Sequence, residues 1–404
     1  MNRPLNISMF AHSTLPRGGV VHALQLGDAL ASAGHLVTLH APDVDARGLF
    51  RATRCRFAAI AAARVDGSLA ALVEQRIGEI ITHLEKLPGA LAQDIYHAQD
   101  PISANALATL VERGLIDGFV RTVHHLDEFS DARLSAWQTR GFTAARQVLC
   151  VSRLWRDVLQ RDYAIDARLV DNGVDLTRFT PRANAHDALL VQRFGLRGAS
   201  LQDGTAAGPV FLSIGGIEQR KNPLRALAAF LQVRERFPHA QWLIAGGASL
   251  LDHSAVATQF RAAVAQTGIA IGPGAPIVVA GALLDEQMAA LYRIADALLF
   301  PSLVEGFGLV VLEALASGLP IVVSKIAPFT EYLTSAAVEW ADPLDPASIA
   351  AAMVRAVSAG GTPRGRLVGQ AALDICRRFD WRVSAGRHLD LYRATLARKE
   401  SEHA

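Results

Sequence analysis

Short apolar runs recur along the chain, separated by stretches with helical periodicity. In the first half they fall at Leu5–Phe10, Leu36–His40, Ile95–Ala98, Phe119–His124, Val148–Ser152 and Arg168–Val170. In the second half they fall at Val210–Ile214, Trp242–Ala245, Ile277–Ala280, Ala297–Phe300 and Ile321–Ser324. Such runs suit strands buried on both faces, and their alternation with helices predicts α/β domains with parallel sheets. Two series predict two doubly wound domains, 1–180 and 210–383, with residues 181–209 as the linker between Pro181 and Pro209. Ligands of open α/β sheets bind beyond the carboxyl ends of the strands. Two domains facing each other would therefore form a central cleft.

Residues 262–284 carry no charge over a length that nominally spans a bilayer. Pro273, Pro276 and four glycines interrupt them, so they read as a loop and a strand and not as one helix. No transmembrane helix is expected. The opening MNRPLNISMFAHS reads as a first strand, not a signal peptide.

Composition narrows the class. A chain of 404 residues, 51% hydrophobic and 19% charged, suits a soluble enzyme of two or three domains. A net charge of +2 argues against a nucleic-acid partner. Cys55, Cys150 and Cys376 show no metal spacing and fit a reducing, cytoplasmic compartment. Dinucleotide-binding, nucleophile-elbow, zinc-protease and Walker A motifs are all missing. Asp43-Val44-Asp45 has the form of a metal-holding pair, but a turn accounts for it better. Residues 47–64 hold five arginines and no carboxylate apart from the chain around them, with Leu49, Phe50, Phe57 and Ile60 interleaved. A solvated basic face explains this, and the other reading is contact with anionic lipid at the inner membrane face through Arg47, Arg51 and Arg54.

Candidate chemistry centres on FPSLVEGFGLVVLEALASGLP, residues 300–320. It reads as a loop feeding a helix that begins near Gly308 and stops at Gly318. Glu305 lies in the loop and Glu313 more than one turn into the helix, about 7–8 Å beyond Gly308 at ~1.5 Å per residue. That is the distance from a phosphate to its ribose. A helix start offers free N–H groups to an anion, and a carboxylate accepts hydrogen bonds from a vicinal diol. A solvated acidic loop before a core helix is the alternative. Gly18-Gly19 opens another helix, where a ligand can come close to the backbone. Gly246-Gly247 has the same character at a strand end. Arg220 and Lys221 precede the helix that starts at Pro223, and place positive charge where a diphosphate could be neutralised. His97, His124 and His125 lie at or just after strand ends, and His124 is taken as a site residue. A metal there would need Asp127 or Glu128 as a further ligand.

The residues 301–309 with Glu313 resemble the E-x7-E signature of retaining glycosyltransferases of family 4, which have the GT-B fold. Gly18-Gly19, Asn172–Asp175, Lys221-Asn222 and Gly318–Val322 resemble further motifs of that family, in its order. The resemblance implies two Rossmann-like domains and transfer of a sugar from a nucleotide sugar to a sugar, lipid-linked or small-molecule acceptor. It implies no cofactor and no required metal. By position it gives Lys221 to the diphosphate, Glu305 with the backbone of Phe307, Gly308 and Leu309 to the donor sugar and phosphates, and Glu313 to the ribose. Gly18 and Gly19 would approach the phosphates, and His124 the transferred sugar. His124, Lys221 and Glu305 are the expected catalytic residues. A last helix, about 384–404, would cross back to the first domain. The family's arginine after glycine is missing here, because Gly216 stands in its place, and Arg220 is the remaining basic neighbour. A GT-B nucleotide-sugar epimerase and a non-catalytic nucleotide-sugar-binding protein share these features.

Overall fold

The computed structural model describes residues 3–197, 208–247, 253–358 and 363–402. The chain divides into two compact units, residues 1–173 with 381–404, and residues 174–380. In the first, β1 (Asn6–Phe10), β2 (Leu36–Asp43), β3 (Arg56–Ala61), β4 (Ile95–Ala98), β5 (Val120–Val123), β6 (Gln147–Cys150) and β7 (Arg168–Leu169) form one sheet. Its order is β3-β2-β1-β4-β5-β6-β7, with every pair parallel. The second unit holds β8 (Val210–Ile214), β9 (Gln241–Ala245), β10 (Ile277–Gly281), β11 (Ala297–Phe300), β12 (Ile321–Ser324) and β13 (Glu339–Ala341). These pair in parallel in the order β10-β9-β8-β11-β12-β13. Each sheet therefore reverses direction once, between β1 and β4 and between β8 and β11. The carboxyl ends at such a reversal are where doubly wound folds bind ligands.

The central strands are apolar runs because helices cover both of their faces. All residues of β4, β5, β9, β11 and β12 are buried. The crossover helices start where short polar side chains cap them. Ser68 accepts from Ala71 N at 3.2 Å, and Asp100 Oδ1 accepts from Ser103 N at 2.8 Å before Pro101. The terminal helix, Trp381–Glu402, belongs to the first unit and packs on the helix Gly18–Ser32. Ser384 Oγ donates to Asp171 O at 2.8 Å, and Tyr392 OH meets His97 Nδ1 at 2.7 Å.

Two strands lie outside the eleven apolar runs. β3 is an edge strand with only Ile60 fully buried, so solvated Arg56 and the alanines hide its pattern. β13 has three residues. The stretch read as a linker, 181–209, contains a helix. Residues 185–194 are a helix capped by Asn184 Oδ1, and Arg293 grips its Asp187 at 2.6 Å within the second unit. Residues 198–207 of that segment lie outside the described residues.

The basic stretch is a turn and an edge strand. Arg47 and Arg64 pair with Asp45 at 3.4 and 2.8 Å, and Arg51 pairs with Asp28 at 3.0 Å. Asp43 accepts from the backbone of Arg47 and Gly48, which confirms the turn. No helix among the described residues is long and apolar enough to cross a membrane.

The first unit buries several histidines. His40 lies between Ser8 Oγ and His83 Nε2, each at 3.1 Å, and His22 Nδ1 meets Asn172 Oδ1 at 2.8 Å. Burial lowers His22 and His40 from 6.5 to about 3, and His388 to about 4. In the unfolded chain these rings take up protons below about pH 6.5, while the folded ones stay neutral until much lower pH. Stability is therefore full above pH 6.5 and is lost as pH falls towards 4, by about 1.4 kcal/mol per pH unit for each ring. Urea unfolding at pH 7 and pH 5 checks this: the first unit's midpoint drops, and an unchanged midpoint contradicts it.

Candidate active site

At the reversal in the second unit, two loops leave the sheet side by side. The loop after β8 contains Gly215-Gly216, then a single 3-10 turn, Gln219–Lys221. The loop after β11 runs from Pro301 to Gly308. Leu303 N donates to Arg220 O at 2.8 Å. Asn222 fastens the pair more strongly. Its backbone is left-handed (φ 61°), and its amide donates to Pro301 O at 3.1 Å and Pro343 O at 2.6 Å. An asparagine tolerates that conformation better than most residues.

These fastenings bring Arg220, Lys221 and Glu305 together. Lys221 Nζ lies 2.5 Å from Glu305 Oε1, and Arg220 NH1 lies 3.1 Å from the same oxygen. The side chains of Lys221 and Glu305 are 12% and 7% exposed, so this pair is largely shielded from water. The ammonium also sits 4.1 Å from the centroid of the Phe300 ring. Arg220 Nε reaches Glu218 Oε2 at 2.9 Å. Burial pushes the Glu305 carboxyl up, but Lys221 and Arg220 outweigh it and hold the group below its usual range. Burial, with Arg220 beside it, lowers Lys221 against the opposing pull of Glu305. Lys221 and Arg220 thus share the Glu305 carboxylate, and Arg220 is paired with Glu218 as well.

Glycines make room for it. A Cβ at Gly215 (φ 117°) would stand 2.7 Å from Lys221 Cε. Gly216 also has positive φ (75°), and a Cβ there would stand 3.2 Å from Gly247 O. An arginine at 216 would need this strained backbone, which accounts for a glycine in its place. Gly246 is packed against Gly216 N, so the close approach expected at Gly246-Gly247 is made by the chain itself.

Helix Leu309–Ala316 begins directly after the loop, and no side chain caps it. Val311 N donates to Gly308 O at 2.9 Å, and the N–H groups of Leu309 and Val310 before it have no partner among the described residues. Gly308 (φ 92°) makes the turn, packed so that a Cβ would meet Phe329 Cε1 at 2.6 Å. Phe307 does not offer its ring to a ligand. It is buried and stacks on Tyr332 at 4.9 Å, whose hydroxyl donates to Phe307 O at 2.9 Å. Glu313 accepts from Tyr292 OH at 2.6 Å, and burial raises its pKa. Asn222, Tyr292 and Tyr332 carry no sequence signal for these roles, which depend on contacts across the sheet end.

In the first unit, the helix Gly18–Ser32 starts with Gly18 and Gly19, and a Cβ at Gly19 would lie 3.5 Å from His124 Cδ2. His124 Nε2 meets Gln99 Oε1 at 3.1 Å, and burial lowers its pKa well below 6.5. The neutral ring is therefore a hydrogen-bonding group and not a cation. His97 is fully buried between Tyr392 OH and Thr122 Oγ1, both at 2.7 Å, and serves the packing of the terminal helix. His125 pairs with Asp127 at 3.3 Å. Among the described residues, no group of three or more His, Cys, Asp or Glu is placed to hold a metal ion.

Comparison with known proteins places this geometry. The family profile "Glycosyltransferase Family 4" matches residues 16–178, and "Glycosyl transferases group 1" matches residues 205–367. The chain belongs to glycosyltransferase family 4. Over 396 residues it is 28% identical to phosphatidyl-myo-inositol mannosyltransferase of Mycobacterium tuberculosis, covering 94% of this chain and 93% of that one. It is 30% identical over 249 residues to D-inositol 3-phosphate glycosyltransferase of Segniliparus rotundus, covering 59% of this chain and half (50%) of that protein. The match to mannosylfructose-phosphate synthase of Agrobacterium fabrum spans 38% of that protein. In structure the chain resembles sucrose-phosphate synthase from Thermosynechococcus elongatus, with a TM-score of 0.76 and 19% identity over 97% of this chain and 99% of that one. It also resembles Anabaena HepE in complex with UDP-glucose, with a TM-score of 0.72 and 14% identity over 98% and 100%. The family 4 chain thus has the GT-B fold expected from its motifs.

Substitution tests the packing under the helix start. Gly308→Ala forces a left-handed alanine against fully buried Phe329, at about 3 kcal/mol for backbone and overpacking together. The melting temperature of the second unit should fall by roughly 6–12 °C. A change within about 1 °C would show that the turn does not need glycine.

Proposed function

We propose that this family 4 chain transfers a sugar from a nucleoside-diphosphate sugar to an acceptor, with retention at the anomeric carbon. The observation that carries the proposal is the convergence of Lys221 and Arg220 on Glu305, beside the uncapped start of helix Leu309–Ala316. Shielded Lys221, half-exposed Arg220 and the backbone N–H groups of Leu309 and Val310 suit a diphosphate, whose charge grows as the glycosidic bond breaks. Glu305 holds the cations in place without a ligand and lies at the sugar end of the donor. Glu313 accepts from the ribose hydroxyls, its other partner being Tyr292. Gly18 and Gly19 are assigned to the donor phosphates, as glycines where a ligand can come close to the backbone. His124 is assigned to the transferred sugar as a neutral hydrogen-bonding group. Arg220 takes over the charge that an arginine at 216 supplies in other members.

The bond from the anomeric carbon to the β-phosphate oxygen breaks, and its electron pair stays on the phosphate. The acceptor oxygen bonds to the same face of that carbon, and its proton passes to the leaving phosphate. The diphosphate then departs as the second product. Lys221 stabilises the charge on that leaving group. The named relatives act on inositol- or sugar-containing molecules, and a polyol or sugar hydroxyl is the proposed acceptor.

Lys221→Ala should keep the fold and lower turnover at least about a hundredfold, measured as nucleoside diphosphate released from a panel of donors. NMR of the product should show the donor's anomeric configuration. Near-normal turnover in the variant, or an inverted product, contradicts the mechanism. Gly216 favours a second reading, nucleotide-sugar binding without transfer. Tight donor binding with neither hydrolysis nor transfer would establish it.

A further inference from the structure

Glu218 is a buried carboxylate of the second unit to which the reading above gives no role. It is 5% exposed and lies in the loop after β8, shortly before Lys221. Local structure gives it no task. It stands at the start of the single turn Gln219–Lys221, yet its side chain caps none of the N–H groups there. Its Oε2 is buried and takes part in no hydrogen bond. Its contacts are with basic side chains: Arg220 Nε lies 2.9 Å from Oε2, and His253 Nε2 lies 4.0 Å from Oε1. Burying a carboxylate without hydrogen bonds is costly, and an ion pair to a side chain that is 40% exposed returns little of that cost. Stability alone therefore does not account for Glu218.

Its effect is on the direction of Arg220. An arginine side chain has many rotamers, and a half-exposed head has no fixed direction unless something holds it. Here Glu218 meets Nε, Glu305 Oε1 accepts from NH1 at 3.1 Å, and Leu303 N donates to the Arg220 carbonyl at 2.8 Å. The guanidinium is gripped on two sides, and its NH2 group donates no hydrogen bond among the described residues. Because Gly216 brings no side chain to this turn, Arg220 is the arginine between β8 and the helix that starts at Pro223.

We propose that Glu218 is a positioning residue for the diphosphate: it fixes Arg220 from the Nε side while Glu305 fixes it from the NH1 side, so that the guanidinium is oriented before the ligand arrives. The role rests on the glycosyl-transfer reading, in which Arg220 and Lys221 face the donor phosphates. A guanidinium already held loses less rotamer freedom on binding than a free one, and affinity rises for that reason.

The test is titration calorimetry of the full chain with uridine, guanosine and adenosine diphosphate. It compares the wild type with Glu218→Ala, Glu218→Gln, Arg220→Ala, and each Glu218 variant combined with Arg220→Ala. Charge alone predicts that removing a carboxylate tightens the binding of an anion. Positioning predicts the opposite. Both Glu218 variants should bind the diphosphate about fivefold more weakly, and the loss should vanish where Arg220 is already alanine. Glu218→Gln keeps the shape of the side chain, so it carries the comparison should Glu218→Ala fail to fold. Wild-type or tighter binding in the Glu218 variants overturns the proposal. A loss of equal size in the Arg220→Ala background also overturns it, by making Glu218 a support of the loop at large. If the wild type binds none of the three diphosphates, the donor reading fails and the proposal falls with it. Binding by the wild type without the coupling to Arg220 removes the proposal alone.

Discussion

The second unit is arranged around one oxygen, Glu305 Oε1, on which Lys221 and Arg220 both close. Such a shielded ion pair contributes little to stability, because desolvation offsets most of the attraction, yet losing one partner strands the other. Its effect is geometric. Lys221 is held against Phe300 at the end of β11, and the loops after β8 and β11 are locked in register by Asn222 and Leu303. Three positive-φ glycines, at 215, 216 and 246, give the backbone and the lysine stem room to do this. The strain and the charge sit where the sheet reverses, which is the place a ligand uses in this architecture.

Much of this was legible in the sequence. Apolar runs located eleven of the thirteen strands among the described residues, because parallel strands covered on both faces leave little room for polar residues. The two missed strands are edges, where one side needs no cover. The helix at 185–194, inside the stretch read as a linker, was not legible because it is short and is held by Asn184 and an Asp187–Arg293 pair whose partner is distant in sequence. The order and spacing of the motifs gave the family, which the two matching profiles and the fold confirm.

Side-chain partners were not legible. Nothing local links Glu313 to Tyr292, or Asn222 to Pro301 and Pro343. Nor was the stacking of the Phe307 ring on Tyr332 legible, since the donor contact expected at that turn is through its backbone. The missing arginine at 216 has a local cause in the left-handed backbone of Gly216, with Arg220 already directed at Glu305.

The central claim is that this cluster recognises a diphosphate attached to a ribose. Titration calorimetry with a nucleoside, its monophosphate and its diphosphate, for uridine, guanosine and adenosine in turn, tests it most directly. For at least one base, the diphosphate should bind about tenfold or more tightly than the monophosphate, with the nucleoside weaker still, since each phosphate adds charge for Lys221, Arg220 and the helix start. Equal affinity across the three forms, or no binding for any base, would contradict the assignment.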